Sequence, residues 1–216
     1  MKSIYNLFLV VVGAFLISTS VGQEASTIMT KITTRMIEPA SKTITFMAQP
    51  KTLWRAGTKY ACIAEAPDAQ NHIHGLMIIN GADAWMINLV DKSGRHTVDT
   101  DPPFNVHIPI FQVSGEAKEK LEVLEFGSEL EFFSRNSARQ SAGEVINGKA
   151  TDRYDATVSG SRLTLWTDAK SQKPVRISLT TGTETQTIEY LAYEDDLQFD
   201  PSLFRPPSGI AMQDSK

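Results

Sequence analysis

From Thr43 to Ala66 the chain reads TITFMAQPKTLWRAGTKYACIAEA, with Ile44, Phe46 and Ala48 on one parity and Thr43, Thr45 and Met47 on the other. Alternation with a period of two, in β-branched and aromatic residues, predicts strands. Gly57 and Pro67 read as the turns between them. Two apolar runs follow, Leu76 to Ile79 and Ala84 to Val90, joined by Asn80-Gly81-Ala82-Asp83. Asn-Gly between hydrophobic runs marks a hairpin, here with a loop slightly longer than two residues. Asp91 to Gly94 supplies the next turn, so the segment reads as an antiparallel meander.

The pattern changes between Pro102 and Gln140. Pro102, Pro103 and Pro109 exclude a central strand. The stretch SGEAKEKLEVLEFGSELEFFSRNSARQ is rich in Glu, Lys, Leu and Ala, which propagate helices. Leu121 with Leu124, and Leu130 with Phe133, give each piece an apolar stripe. Gly127 divides the pieces, and Ser128 is placed to cap the second, with Glu131 three residues on.

Beyond Ser141 the strands return. Asn147-Gly148, Ser159-Gly160 and Thr181-Gly182 mark hairpins. Tyr154, Ala156 and Val158 share a face, as do Leu163 and Leu165, then Val175, Ile177 and Leu179, then Ile188, Tyr190 and Ala192. The other parity carries Asp155, Thr157, Arg162, Thr164, Arg176, Ser178 and Glu189. The expected sheet is apolar on one side throughout and wet on the other. About eight to eleven such strands must curl, into a closed barrel, a two-sheet sandwich or an open half-barrel.

The first 22 residues change the picture of compartment. Lys2 precedes an apolar run from Leu7 to Ile17, and small residues end in Ser20-Val21-Gly22. That is the layout of a signal peptide spanning residues 1–22, leaving 23–216 as a single domain. A membrane anchor is the alternative, but the run is well short of the ~20 residues that span a bilayer. No cysteine follows the expected cut to carry a lipid, so a released protein is expected, periplasmic or secreted, with no integral span after cleavage.

A formal charge of -4, with 21 basic residues scattered along the chain, argues against nucleic acid or an anionic membrane as partner. Cys62 is the single cysteine, so no internal disulfide forms. Tyr60, Ala61, Ile63 and Ala64 around it predict a buried thiol rather than a reactive one.

The order of these features resembles the LolA-like superfamily of periplasmic lipid- and lipoprotein-binding proteins. The resemblance is carried by leader, strands, Asn-Gly hairpin with a following tryptophan, helical insert, AGEVINGKATDRYDATV, LTLWTDAKSQKPVRI, TIEYLAYED and the ending FDPSLFRPPSGI. It implies an α+β fold, a curved antiparallel half-barrel whose concave apolar face is covered by the helical insertion. It also implies a binding or carrier protein for lipid-like ligands or acylated proteins, as in outer membrane lipoprotein transport. In such carriers an arginine on an early strand holds a closed lid. The nearest match here, Lys59-Tyr60-Ala61-Cys62, has Ala61 at that position, and Arg55 stands as the nearby substitute. The tail Phe199 to Ile210 is then expected to close the sheet, Phe199, Leu203 and Phe204 reaching apolar surface and Pro201, Pro206 and Pro207 stiffening it.

If the concave face is an open cavity, Phe46, Trp54, Ile78, Trp85, Leu165, Trp166 and Tyr190 are the candidates to line it, since binding pockets are mostly apolar. The same surface or a sheet edge could instead dock an envelope protein partner, as a sensor module. Catalytic chemistry has thin support. His72 and His74 alternate, but further metal ligands would have to come from His96, His107, Asp99 or Asp101 without recognised spacing. Asp99 and Asp101, before prolines, read as turn formers rather than an acid-base pair. No nucleophile elbow, HExxH or P-loop is present, and no enzymatic activity, cofactor or metal is expected.

Overall fold

Left-handed backbone at a few marked residues sets the hairpins. Asn147 and Gly148 have φ of 51° and 77°, and Ser159 and Gly160 have 48° and 77°, two successive positive values that match the right-handed twist of flanking strands. Gly81, at φ 61°, starts a loop of just two residues, because Asn80 pairs directly with Asp83. That loop is one step tighter than the sequence suggests.

The computed structural model describes residues 28–38, 49–100 and 105–214. The expected leader and Phe46 lie outside them. Among the described residues there are twelve strands: β1 Ile28–Glu38, β2 Lys51–Ala56, β3 Tyr60–Glu65, β4 Gly75–Asn80, β5 Asp83–Asn88, β6 Ser93–Val98, β7 Arg139–Ala142, β8 Thr151–Val158, β9 Ser161–Asp168, β10 Pro174–Thr181, β11 Glu184–Gln198 and β12 Ala211–Asp214. They form one curved, unclosed sheet in the order β12-β6-β5-β4-β3-β2-β1-β11-β10-β9-β8-β7, antiparallel except for the β12 edge, which runs parallel to β6. This is the half-barrel. β1 is the central strand, joining the meander β2–β6 to the meander β8–β11.

The helical insertion is smaller than its composition suggests. Its helices are α1 Lys118–Leu121, entered through the 3₁₀ turn Gly115–Ala117, and α2 Glu129–Arg135. Arg139–Ala142 is the edge strand β7. Segment 105–113 is extended and pairs with 124–126: Ile110 N donates to Leu124 O at 2.9 Å and Phe126 N to Ile108 O at 3.3 Å. Ser128 stands at the N-cap of α2 without a capping bond. Its hydroxyl donates to Glu125 O at 3.2 Å, while Glu129 Oε2 accepts from Gly127 N at 3.1 Å.

In the β8–β11 half the sheet follows the expected alternation. Tyr154, Leu165, Ile177 and Ile188 stand side by side across four strands, and Ala156, Leu163 and Leu179 form the next row. Phe111, Leu121, Leu124, Phe132 and Phe133 descend from the insertion onto them and complete the main core. The opposite face of this half carries the row Arg153, Trp166, Arg176, Glu189, Arg35. Ala192 departs from the pattern. Tyr190 pairs with Thr34 and Ala192 with Thr33, so an extra residue bulges between them and reverses the parity, which brings Tyr193 opposite Ile32.

In the β2–β5 half both faces are apolar, contrary to the single apolar side expected. The convex row runs Trp54, Cys62, Ile78, Trp85. The tail covers this convex face. Phe199 and Phe204 stack at 5.4 Å and each lies within 5.4 Å of the Tyr60 ring, with Leu203, Ile210 and Met212 beside them. Asp200 accepts from Ser202 N at 2.9 Å and fixes the turn Pro201–Phe204, and Asn80 Nδ2 donates to Phe204 O at 3.2 Å. Stiff prolines and a capped turn hold the tail without further backbone pairing until β12.

Candidate functional site: an apolar cavity under a partial cover

The insertion does not cover the concave face evenly. Its helices and large aromatics lie over β8–β11, whereas β2–β5 are crossed by the extended segment 105–113 and Phe126. An extended chain carries fewer side chains across a given width than a helix, so space remains beneath it. A cavity of about 650 Å³ results, walled by Ile32, Leu53, Ile63 and Met77 from the sheet and by Ile108 and Phe111 from the cover.

Strand register orders the concave face around this cavity into three rows. The middle row is Ile32, Leu53, Ile63, Met77, Met86, apolar from one side to the other. Met86 is 63% exposed and marks the flank that the cover does not reach. Methionine suits such a position, because its flexible thioether adapts to variable shapes.

The second row, Thr30, Arg55, Ala61, Ile79, Ala84, lies under the anchored end of the cover. Arg55 Nη1 donates to Glu125 Oε2 at 2.8 Å and to Phe126 O at 3.2 Å, and Nη2 to Val106 O at 3.3 Å. His107 Nδ1 lies 2.6 Å from the other Glu125 oxygen. One guanidinium on β2 thus binds three points of the cover, a use suited to its fixed fork of donors. Val106 N donates to Thr58 O at 2.8 Å beside it. Ala61, on the same row, is buried and offers no polar group.

The third row is polar: Thr34, Lys51 and Glu65, with Gly75 beside Glu65. Lys51 Nζ and Glu65 Oε1 are 3.6 Å apart. Burial pushes the Glu65 carboxyl above and the Lys51 ammonium below their ordinary values, each partly offset by the other's charge. Another buried acid, Glu129, opens α2 and is also pushed up by burial, but it accepts from Tyr190 Oη at 2.8 Å and from Gly127 N.

The residues expected to line a cavity are scattered. Trp54, Ile78 and Trp85 occupy the convex row under the tail, where Trp85 stacks on His96 at 5.1 Å. Trp166 is on the convex face of the other half, with the Arg153 and Arg176 guanidinium groups 5.6 and 5.9 Å from its ring. Leu165 and Tyr190 do face inward, but into the packed core below α2. None of these six borders the cavity. Leu53, Ile63, Met77 and Met86 do so instead. Two-sided burial had hidden their parity, although Lys51 and Glu65 two residues away on the same faces gave the signal of a polar end to an apolar row.

The candidates for chemistry are likewise apart. His72 lies in a turn at φ 53°, His74 precedes β4, His96 contacts Asp83 at 2.7 Å, and His107 belongs to the Arg55 clasp. Asp99 follows β6, its amide bonded to Ala82 O, and Asp101 lies outside the described residues. Among the described residues no three His, Cys, Asp or Glu side chains gather around a metal position. Nor is any described helix long and apolar enough to cross a membrane. Cys62 is buried, and burial raises its thiol to about 11.

The geometry therefore defines an open half-barrel with a partly covered apolar cavity. No family model matches the chain, and no curated protein matches its sequence. Solved structures resemble its chain path at low identity. An uncharacterized conserved protein from Thermus thermophilus is 7% identical, with a TM-score of 0.49, covering 88% of this chain and 91% of that one. LprF from Mycobacterium bovis is 10% identical at TM-score 0.44, covering 85% and 90%. A LolA superfamily protein from Nitrosomonas europaea is 8% identical at TM-score 0.32, covering 84% and 90%.

Proposed function

We propose that this protein binds and carries lipid-like apolar ligands, lipid or lipoprotein acyl chains, outside the cytoplasm and without catalysing a reaction on them. The observation that carries this reading is the unfilled cavity of about 650 Å³ between the concave face and its cover. Protein interiors close such gaps wherever side chains can reach, and ordinary ligand pockets have about this size, roughly 300–1,000 Å³. Each methylene that an alkyl chain moves out of water contributes about 0.8 kcal/mol, and the Ile32 to Met86 row offers an apolar track for it. The Arg55 clasp supports the carrier reading, because its side-chain bonds, with the Val106 to Thr58 backbone bond beside them, lie outside the strand ladders and can open without breaking the sheet.

Native mass spectrometry of the protein purified from an envelope fraction tests this directly. The expected result is a bound mass of alkyl-chain lipid that organic extraction releases. Protein that is free of any such mass, and that takes up no alkyl chain when titrated, contradicts the reading.

A further inference from the structure

Polar side chains border the cavity on the sheet and on the cover, and one of them, Glu65 on the third row, bears on the head of the guest. Glu65 is 5% exposed and borders the cavity. Its Oε1 is buried and accepts no hydrogen bond. Lys51 Nζ, at 3.6 Å, is close enough to balance charge but too far to donate. Buried carboxylate oxygens are rarely left in this state, since an unpaired acceptor costs about 1–3 kcal/mol. Gly75 leaves space that Glu65 Oε2 occupies, and a side chain there would displace the carboxylate. Glu129, a buried acid on α2, accepts from protein donors, whereas no protein donor meets Glu65 Oε1, and the Glu65 carboxylate stands at the cavity wall.

Resting on the reading of the cavity as a lipid-like site, we infer that the guest is an aliphatic chain ending in a hydrogen-bond donor, a hydroxyl or ammonium group, which the Glu65 carboxylate accepts while the chain lies along Leu53, Ile63 and Met77. The order of the rows fixes this orientation. Head and chain would meet the polar third row and the apolar middle row in adjacent positions, two residues apart on each strand. A carboxylate or an ester head would bring the Glu65 carboxylate no donor.

The test is displacement of anilinonaphthalene sulfonate from the full chain by dodecanol, dodecylammonium, dodecanoate and methyl dodecanoate. Dodecanol and dodecylammonium are expected to bind roughly tenfold more tightly than the ester, the worth of one bond to a charged acceptor. Glu65→Leu is expected to erase that preference while retaining the ester. Should Glu65→Leu fail to fold, the ranking on the unaltered protein decides. Equal binding of ester and alcohol, tightest binding of dodecanoate, or a preference that survives in folded Glu65→Leu overturns the head-group assignment and leaves the lipid-site reading intact. Absence of binding by all four overturns both.

Discussion

The β8–β11 half of the sheet and the β2–β5 half lie in one sheet under the same insertion, yet they solve burial in opposite ways. In the first, Leu121, Leu124, Phe132 and Phe133 fill the concave side and the convex side is left to water and ion pairs such as Arg35 with Glu189 at 2.6 Å. In the second, the convex side is sealed by Phe199 and Phe204 of the tail, and the concave side keeps a cavity. The lesson is that stability and vacancy are separable. Because the tail supplies apolar burial from behind, the front of β2–β5 can remain unfilled.

The largest expected effect comes from removing that backing. Phe204 is fully buried, and Phe204→Ala should lower unfolding free energy by about 3–5 kcal/mol, read from a urea midpoint. A loss under about 1 kcal/mol would mean that the tail is not what supports the hollow half. Next is a pair of enlargements. Ala156→Phe pushes into the packed half and should cost about 1–3 kcal/mol, whereas Ile63→Phe grows into the cavity and should cost under about 1 kcal/mol while weakening uptake of alkyl chains. Equal costs at both positions would erase the contrast between the halves.

Arg55→Ala sharpens the same comparison at the cover. It leaves Glu125 and the carbonyls of Val106 and Phe126 without their shared donor, and should cost about 1–2 kcal/mol after allowance for partial exposure of the pair. Hydrogen exchange should rise at the Val106 and Phe126 amides and stay unchanged at the β8–β11 ladder. The smallest effect is a change of pH slope. Burial raises the Glu129 carboxyl in the folded protein, so the native state binds more protons between the ordinary carboxylate value and the raised one, and stability from this group falls as pH rises through that window. Glu129→Gln keeps an oxygen for the Tyr190 hydroxyl and carries no titratable proton. Its urea midpoint should therefore drop less than that of the unaltered protein between about pH 5 and about pH 8.

How far the fold could be read ahead follows the same division. Strands β8–β11 have one wet face, so Tyr154, Leu165 and Ile177 alternate cleanly with Asp155, Trp166 and Arg176, and their inward parity was legible. Strands β2–β5 are apolar on both faces. There parity carries little signal, and large tryptophans drew the site to the convex row of Trp54 and Trp85. β1 carries only a weak strand pattern. Its Ile32, Thr34 and Met36 do alternate with Lys31, Thr33 and Arg35, but with too few large apolar groups to stand out, and its central place depends on pairing with β11 at the far end of the chain. The insertion had helix-forming composition, yet Pro109 and the ladder of 108–110 with 124–126 kept much of it extended. That extended path is what leaves the cavity, so the site depended on a tertiary choice that propensity does not encode.

Titration of the methyl-labelled protein with dodecanol, followed by NMR, tests the central claim most directly. The account predicts shifts concentrated at Leu53, Ile63, Met77 and Ile108, with Leu165 and Ile177 unmoved. Shifts centred on the packed core below α2, or none at saturating alcohol, would contradict it.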